Sequence, residues 1–258
     1  MIKIKDAWKS YGKNQVLKGL NLTIQTGETL VILGRSGVGK SVLLRHIIGL
    51  EKLDKGTIEI NGHDLYSLKV KDYYEQISQM GMLFQSAALF DSMNVYENVA
   101  FYLREHGKPK THEKYSESEI SDIVFHALQM VGLEEAAYKL PSNLSGGMRK
   151  RAALARLFAY RPKIVLYDEP TTGLDPITSM QINELICKTQ QELQATSIVV
   201  THDIASAQFV GNRLAFHNEG KIELVDTKDN FLRTENPLIK KFLNASLSAN
   251  TRTMKSID

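Results

Sequence analysis

The chain has 258 residues, of which 43% are hydrophobic and 24% are charged, a composition that suits one globular α/β domain with an attached subdomain. Its net charge of +3 and the scattered positions of its basic residues argue against a nucleic-acid partner. Because Cys187 is the only cysteine and no apolar run approaches the roughly 18 residues that span a bilayer, we expect a cytosolic protein that reaches any membrane through a partner.

The first sixty residues predict three strands and a helix. Residues 1–6 alternate apolar and charged side chains, which is typical of a strand and unlike a signal peptide. The short apolar run at residues 29–33 predicts a buried parallel strand, and the apolar spacing over residues 42–50 predicts a helix. Residues 56–62 predict a strand that enters an Asn-Gly turn and pairs with the N-terminal strand in a small antiparallel sheet.

The middle of the chain is predicted to be mainly helical. Residues 80–84 predict another buried strand, which ends at Gln85. Residues 86–160 then have mostly helical character, with a polar stretch at residues 104–119 that predicts an exposed loop or a frayed helix. We interpret this helical part as a subdomain inserted into an α/β domain.

The last third of the chain returns to strands. Residues 163–167 and 197–201 predict two more buried strands, and residues 213–225 predict a hairpin. Residues 237–247 predict an amphipathic helix, whereas the polar residues 248–258 predict disorder.

Strands that alternate with helices predict an α/β fold with a mostly parallel sheet core, an antiparallel β subdomain and an inserted helical subdomain at about residues 86–160. The predicted domain covers residues 1–236, and residues 237–258 form a tail that is partly helical or disordered.

Residues 34–41 fit the phosphate-loop pattern G-x-x-x-x-G-K-[S/T] in full, between a predicted strand and a predicted helix. Glycines allow backbone N–H groups to wrap phosphates, and the following helix directs its positive end at them. We expect Lys40 to neutralise the β- and γ-phosphates and the Ser41 hydroxyl to bind Mg²⁺. The nucleotide-contacting residues predicted here are Gly34, Arg35, Ser36, Gly37, Val38, Gly39, Lys40, Ser41 and Val42.

Two adjacent carboxylates follow the predicted strand at residues 163–167. Such groups at the carboxyl end of a strand face the ligand crevice of an open sheet. Asp168 is the candidate for holding Mg²⁺ through water, and Glu169 is the candidate general base that polarises the attacking water. An ordinary solvated acidic turn is the alternative, which the upstream phosphate loop makes less attractive.

Further candidates lie at other strand ends and near the N-terminus. His202 follows the predicted strand at residues 197–201, which suits a γ-phosphate contact, and Gln85 could contact Mg²⁺ or the attacking water. Tyr11 could stack on an adenine ring, with Val16 packed nearby. Structural packing is the alternative for the histidine and the tyrosine.

A second segment identifies the class of nucleotide-binding protein. Residues 144–148 form a serine-glycine turn that opens a predicted helix. Together with the motifs above, in the same order, this turn resembles the nucleotide-binding subunit of ATP-binding cassette (ABC) transporters along nearly the whole chain. The resemblance implies a P-loop NTPase (RecA-like) fold, ATPase activity, and ATP and Mg²⁺ as cofactors.

The resemblance also implies a second copy of the chain. In that family, ATP is sandwiched between two subunits arranged head to tail, so Ser145, Gly146 and Gly147 would contact the nucleotide held by the other copy. Ser145 can cap a helix whose N-terminus offers N–H groups to an anion. For Asp175, a bridge between subunits and an N-cap of the next helix both stay open.

Some local sequence features resemble the ATPase of Mce/Mla-type phospholipid transporters, such as Met148 at the end of the serine-glycine turn (the signature turn, residues 144–148) and the apolar residues 86–93. This resemblance covers about residues 1–235. It implies two transmembrane permease subunits, an Mce-type lipid-binding subunit and a STAS-domain regulatory subunit. It also implies a peripheral location on the cytoplasmic face of the inner membrane. The apolar residues 86–93 favour either packing within the helical subdomain or a groove for a permease helix.

Two other functions remain open at this level. One is the same ATPase in an importer of amino acids or other small solutes. The other is a soluble, non-transport ABC ATPase that acts on ribosomes or DNA, although such proteins usually carry two cassettes or long insertions.

Overall fold

The computed structural model describes residues 1–108, 111 and 113–254, with side chains described as far as residue 245. The strands are β1 (Ile2–Tyr11), β2 (Asn14–Ile24), β3 (Thr29–Leu33), β4 (Lys55–Ile60), β5 (His63–Asp64), β6 (Met80–Leu83), β7 (Ile164–Asp168), β8 (Thr196–Thr201), β9 (Arg213–Asn218) and β10 (Lys221–Thr227). The helices are α1 (Lys40–Ile47), α2 (Val70–Ile77), α3 (Val95–His106), α4 (Glu117–Val131), α5 (Gly146–Tyr160), α6 (Pro176–Leu193), α7 (Ile204–Val210), α8 (Lys228–Leu232) and α9 (Pro237–Met254).

The chain divides into two compact units. One unit consists of Met1–Tyr73 and Ile198–Asp258, and the other consists of Tyr74–Ser197. None of the helices in the part of the chain that the structure describes combines the length and the apolar character that crossing a membrane requires.

The first unit contains an antiparallel sheet with the strand order β2-β1-β4-β5. Ile2 of β1 pairs with Ile24 on one side and Ile60 on the other, and all three side chains are buried, because directly paired residues of neighbouring strands lie on the same face of the sheet. The predicted pairing of the N-terminal strand with residues 56–62 is therefore confirmed. Strand β2 was not predicted, since its polar residues obscure the apolar alternation.

A second sheet in this unit has the order β10-β9-β3-β8. Strand β3 pairs in parallel with β9, and every residue of β3 is buried, as its apolar sequence predicts. Strands β9 and β10 form the predicted antiparallel hairpin.

The C-terminal helix differs from its prediction. Helix α9 continues to Met254, so the disorder predicted from residue 248 is wrong for residues 248–254; residues 255–258 lie outside the described part. The polar composition favoured disorder, but the segment contains no proline or glycine that would end the helix.

The second unit pairs β6 and β7 in parallel and contains α3, α4, α5 and α6. Helices α3 and α4 begin with reciprocal capping boxes at Asn94 and Ser116. The first helix after β6 begins at residue 95 rather than near residue 86, because Ala87 and Ala88 adopt positive φ angles that a helix excludes. The stretch predicted as an exposed loop or frayed helix at residues 104–119 contains the connection between α3 and α4, but residues 104–106 end α3 and residues 117–119 begin α4. Its residues 109, 110 and 112 lie outside the described part.

Candidate functional site

The phosphate loop connects β3 to α1 in the first unit, as predicted. Gly37 and Gly39 have φ angles of 80° and 105°, which glycine adopts without steric cost. A Cβ atom at Gly34 would stand 2.5 Å from the carbonyl oxygen of His217, and one at Gly39 would stand 2.6 Å from a methyl carbon of Val16. Gly37 is therefore favoured by its backbone conformation, Gly34 by its close packing against β9, and Gly39 by both its conformation and its close packing against β2.

Lys40 begins α1 and is buried. Its Nζ donates hydrogen bonds to the carbonyl oxygens of Gly34 at 2.9 Å and Arg35 at 3.0 Å. The first turn of α1 contains no acidic residue, so its positive end is not offset by a carboxylate. A glycine loop, a lysine and a helix N-terminus together suit a polyphosphate group.

His217 of β9 lies behind the loop, with its carbonyl oxygen close to Gly34, and the sequence did not predict this contact. Its side chain is fully buried, and neither ring nitrogen has a hydrogen-bond partner among the described residues. Burial, and to a lesser extent the nearby charge of Lys40, lowers the pKa of His217 to about 4. The imidazole is therefore neutral near pH 7. Only its polar character within an apolar strand could have drawn attention to it.

Tyr11 at the end of β1 is held by its hydroxyl group, which donates to the Glu51 carboxylate. The Nζ of Lys9 lies 5.5 Å from the centre of the Tyr11 ring, and the residue is 43% exposed. Burial and the Glu51 carboxylate raise the pKa of Tyr11 to about 12. The structure thus presents an anchored, accessible ring, and its stacking on adenine stays a prediction.

His202 follows β8 in the same unit and is exposed. The backbone N–H of Asp203 donates to the Thr201 hydroxyl oxygen at 3.0 Å, and the Asp203 carboxylate caps α7 by accepting from the N–H groups of Ala205 and Ser206. These bonds on both sides fix the backbone turn that carries the His202 side chain.

Asp168 and Glu169 end β7 in the second unit, and each is only 8% exposed. Glu169 has a φ of 46°, an uncommon angle for a residue with a side chain. The Thr172 hydroxyl donates to Oε2 of Glu169 at 3.0 Å. The carboxylate therefore has a defined orientation on a constrained turn.

Lys150 of α5 contacts the same turn. Its Nζ donates to three backbone carbonyl oxygens, those of Glu169 at 3.1 Å, Pro170 at 2.6 Å and Thr172 at 3.1 Å. Burial lowers the pKa of Lys150 to about 8, although the nearby carboxylates oppose that shift. The sequence showed only a basic run at residues 149–151, and nothing in that run distinguishes its buried lysine from its two arginine neighbours.

The signature turn opens α5, as predicted. Ser145 is the N-cap, and its hydroxyl oxygen accepts the N–H of Met148 at 3.3 Å. A Cβ atom at Gly147 would lie 2.5 Å from Cγ2 of Thr178, whereas Gly146 has more room. Asp175 caps α6 by accepting from the Thr178 N–H at 3.0 Å, which confirms its N-cap role and leaves the subunit bridge a prediction.

The segment after Gln85 is a constrained loop. Gln85 itself is exposed, and the carbonyl oxygens of Ala87 and Ala88 accept hydrogen bonds from the Arg156 guanidinium at 2.8 and 3.0 Å. Ala87 is buried, but Phe90 is 43% exposed while packing on Phe101, with 4.7 Å between ring centres. Core packing thus accounts for part of this apolar segment, and Phe90 leaves an apolar surface available.

The predicted site residues divide between the two units. The first unit holds Tyr11, Val16, Gly34, Arg35, Ser36, Gly37, Val38, Gly39, Lys40, Ser41, Val42 and His202. The second unit holds Gln85, Ser145, Gly146, Gly147, Asp168 and Glu169.

Comparison with known proteins places these motifs in a family. Residues 17–172 match the ABC transporter family. The chain is 41% identical over 243 residues to the "Probable ribonucleotide transport ATP-binding protein mkl" of Mycobacterium leprae (strain TN), covering 94% of this chain and 68% of that protein. It is 39% identical to the "Methionine import ATP-binding protein MetN" of Clostridium tetani (strain Massachusetts / E88), covering 93% of this chain and 74% of that protein.

A third relative matches along more of its own length. The chain is 38% identical to the "Intermembrane phospholipid transport system ATP-binding protein MlaF" of Haemophilus influenzae (strain ATCC 51907 / DSM 11121 / KW20 / Rd), covering 94% of this chain and 90% of that protein. Among solved structures, a dimeric ATP-binding cassette in a post-hydrolysis state with ADP and Pi is 34% identical. Its TM-score is 0.80, over 88% of this chain and 99% of that one. The chain belongs to the ABC transporter family and is an ATP-hydrolysing, ATP-binding subunit with the predicted α/β P-loop fold.

Proposed function

We propose that this ATPase energises phospholipid transport across a bacterial envelope. The observation that carries the proposal is the match to the MlaF phospholipid transport protein, which extends over 90% of that protein and 94% of this chain. The sequence of the signature turn, with Met148 as its last residue, also supports membership of the phospholipid transport group. An importer of amino acids or other small solutes is the second candidate, because similarity to the MetN methionine importer is equally high at 39%.

The roles of the phosphate-binding residues follow from their chemistry. Lys40 neutralises the β- and γ-phosphates, and the loop residues from Gly34 onward donate backbone N–H groups to them. Tyr11 stacks on the adenine ring, and Val16 packs beside it. His202 contacts the γ-phosphate.

Hydrolysis depends on a small set of oxygen ligands and one base. Ser41, Gln85 and Asp168 offer the oxygen atoms that Mg²⁺ prefers, and the ion would offset charge on the phosphate oxygens. Glu169 orients the attacking water and accepts its proton, for which its restrained carboxylate is well suited.

The proposed assembly is a head-to-tail homodimer bound to two transmembrane permeases, on the cytoplasmic face of the inner membrane. Support comes from the dimeric state of the solved relative. Ser145, Gly146 and Gly147 then contact the nucleotide of the partner subunit. An Mce-type lipid-binding subunit and a STAS-domain regulatory subunit complete the assembly.

Purification of the native complex from membranes, followed by mass spectrometry of its proteins and extracted small molecules, tests the proposal. We expect two permease subunits, an Mce-type protein and bound phospholipid. A complex that contains a solute-binding protein and an amino acid would instead establish the importer. Recovery of ribosomes without any membrane protein would replace transport with the soluble ABC function.

A further inference from the structure

Lys150 makes contacts that its position in the sequence does not suggest. It belongs to α5, the helix whose N-cap is Ser145 of the signature turn, and it is only 5% exposed. Its ammonium group donates three hydrogen bonds, all to backbone carbonyl oxygens of the turn that follows β7. Because an ammonium group has three N–H donors, this turn satisfies all of them.

The turn that Lys150 holds is the one that carries Glu169. With a φ of 46°, Glu169 occupies a conformation that costs free energy for a residue other than glycine, so surrounding contacts must maintain it. The Glu169 carbonyl oxygen accepts from Lys150 and also from the Thr172 backbone N–H at 3.2 Å. The Thr172 hydroxyl restrains the carboxylate itself.

The character of the contact favours positioning over simple packing. A buried ammonium group is costly unless it is fully hydrogen-bonded, and a carbonyl oxygen left without its donor is costly as well. The hydrogen bonds that Lys150 donates go to three backbone carbonyl oxygens and not to a carboxylate, so they restrain the backbone path of residues 169–172. A displacement of that path would move the Glu169 side chain.

We propose that Lys150 is a positioning residue for ATP hydrolysis, which ties the turn at residues 169–172 to the signature helix α5 and so fixes the carboxylate of Glu169. The inference rests on the proposed role of Glu169 as general base. Because Lys150 does not belong to the phosphate loop, we expect its loss to affect hydrolysis without affecting ATP binding. Loss of the lysine slows the chemical step and leaves ATP affinity unchanged.

The test compares K150M with the wild type in the purified full-length complex. Small displacements of a catalytic group lower rates strongly, so we expect kcat to fall at least about 10-fold while KM for ATP stays within about twofold. K150R keeps cationic donors and is expected to lose less activity than K150M. The matched control is K188M, the same substitution at an exposed lysine of α6, which is expected to retain wild-type kcat.

A double-mutant cycle distinguishes positioning from general destabilisation. If Lys150 acts through Glu169, adding K150M to E169Q lowers the residual rate little further, because the group it positions is already lost. An unchanged kcat in K150M would overturn the inference. The inference would also be overturned if K150M reduced the ATP hydrolysis rate by the same factor in the wild-type and E169Q backgrounds.

Circular dichroism and thermal unfolding establish that the variants fold. If K150M does not fold, K150Q retains side-chain N–H donors without the charge, and the same split between kcat and KM is expected for it. A wild-type complex without ATPase activity would refute the proposed function itself, whereas normal wild-type activity with fully active lysine variants would refute only the role of Lys150.

Discussion

At the scale of single residues, the phosphate loop depends on a neighbour that the sequence motif does not include. The motif identifies the glycines and Lys40, but the carbonyl group of His217 provides the surface against which Gly34 packs. A histidine in a predicted strand carries no sign of that role, because the contact joins residues about 180 positions apart in the chain. Motif spacing could predict the phosphate-binding groups but not this long-range support.

The buried imidazole of His217 predicts a loss of stability in mild acid. Its pKa is about 4 in the folded chain and near 6.5 when unfolded, so below pH 6.5 the unfolded state binds a proton that the folded state excludes. Between pH 7 and pH 5, this difference lowers the free energy of unfolding by about 2 kcal/mol. Urea unfolding at both pH values measures this effect. Between pH 7 and pH 5, the free energy of unfolding of H217L should fall by about 2 kcal/mol less than that of the wild type.

The control for this prediction is H126L, which removes an exposed histidine of α4. It should keep the pH dependence of the wild type. An equal loss of stability on acidification in H217L and the wild type would show that His217 is not the group responsible.

At the scale of elements, the loop before α3 is held by one buried side chain. Asn98 of α3 is fully buried and its amide group donates to the carbonyl oxygens of Phe90, Met93 and Asn94, while its carbonyl oxygen accepts the Phe90 N–H at 2.8 Å. The sequence predicted mainly helical structure from about residue 86 onward. Hydrophobic periodicity predicts the helices of this region. It does not predict the loop, because the loop's shape depends on hydrogen bonds to the buried Asn98 amide.

Replacing this amide should destabilise the second unit. In N98A, the loop carbonyl and N–H groups lose their buried partner, so we expect the free energy of unfolding to fall by about 2 kcal/mol or more. Chemical denaturation followed by circular dichroism measures the change. Q129A alters an exposed amide side chain on α4 and should lie within about 0.5 kcal/mol of the wild type. Equal stability of N98A and Q129A would mean that Asn98 does not support the loop.

At the scale of the whole molecule, the sequence could predict the family and the main strands because five motifs occur in a fixed order. The buried strands β3, β7 and β8 were predicted from their apolar runs, since strands covered on both faces leave no polar alternation. The unpredicted elements, such as β2 and α2, have mixed surfaces whose burial depends on tertiary contacts. The Lys150 contact with the Glu169 turn is likewise visible only after folding.

In the proposed assembly, ATP joins two copies of this chain, and each copy contributes groups to a given nucleotide that the other copy lacks there. The E169Q variant retains the size of Glu169 and one side-chain oxygen acceptor but cannot accept a proton, so it should bind ATP without splitting it. E184Q, the same change at an exposed glutamate of α6, is the control that should still hydrolyse ATP.

Analytical ultracentrifugation of E169Q with saturating ATP and Mg²⁺ measures whether ATP holds two copies together. We expect a stable dimer of E169Q that disappears when ATP is omitted, with no comparable accumulation for E184Q. A purely monomeric E169Q at saturating ATP, or rapid ATP turnover by that monomer, would contradict the proposed assembly.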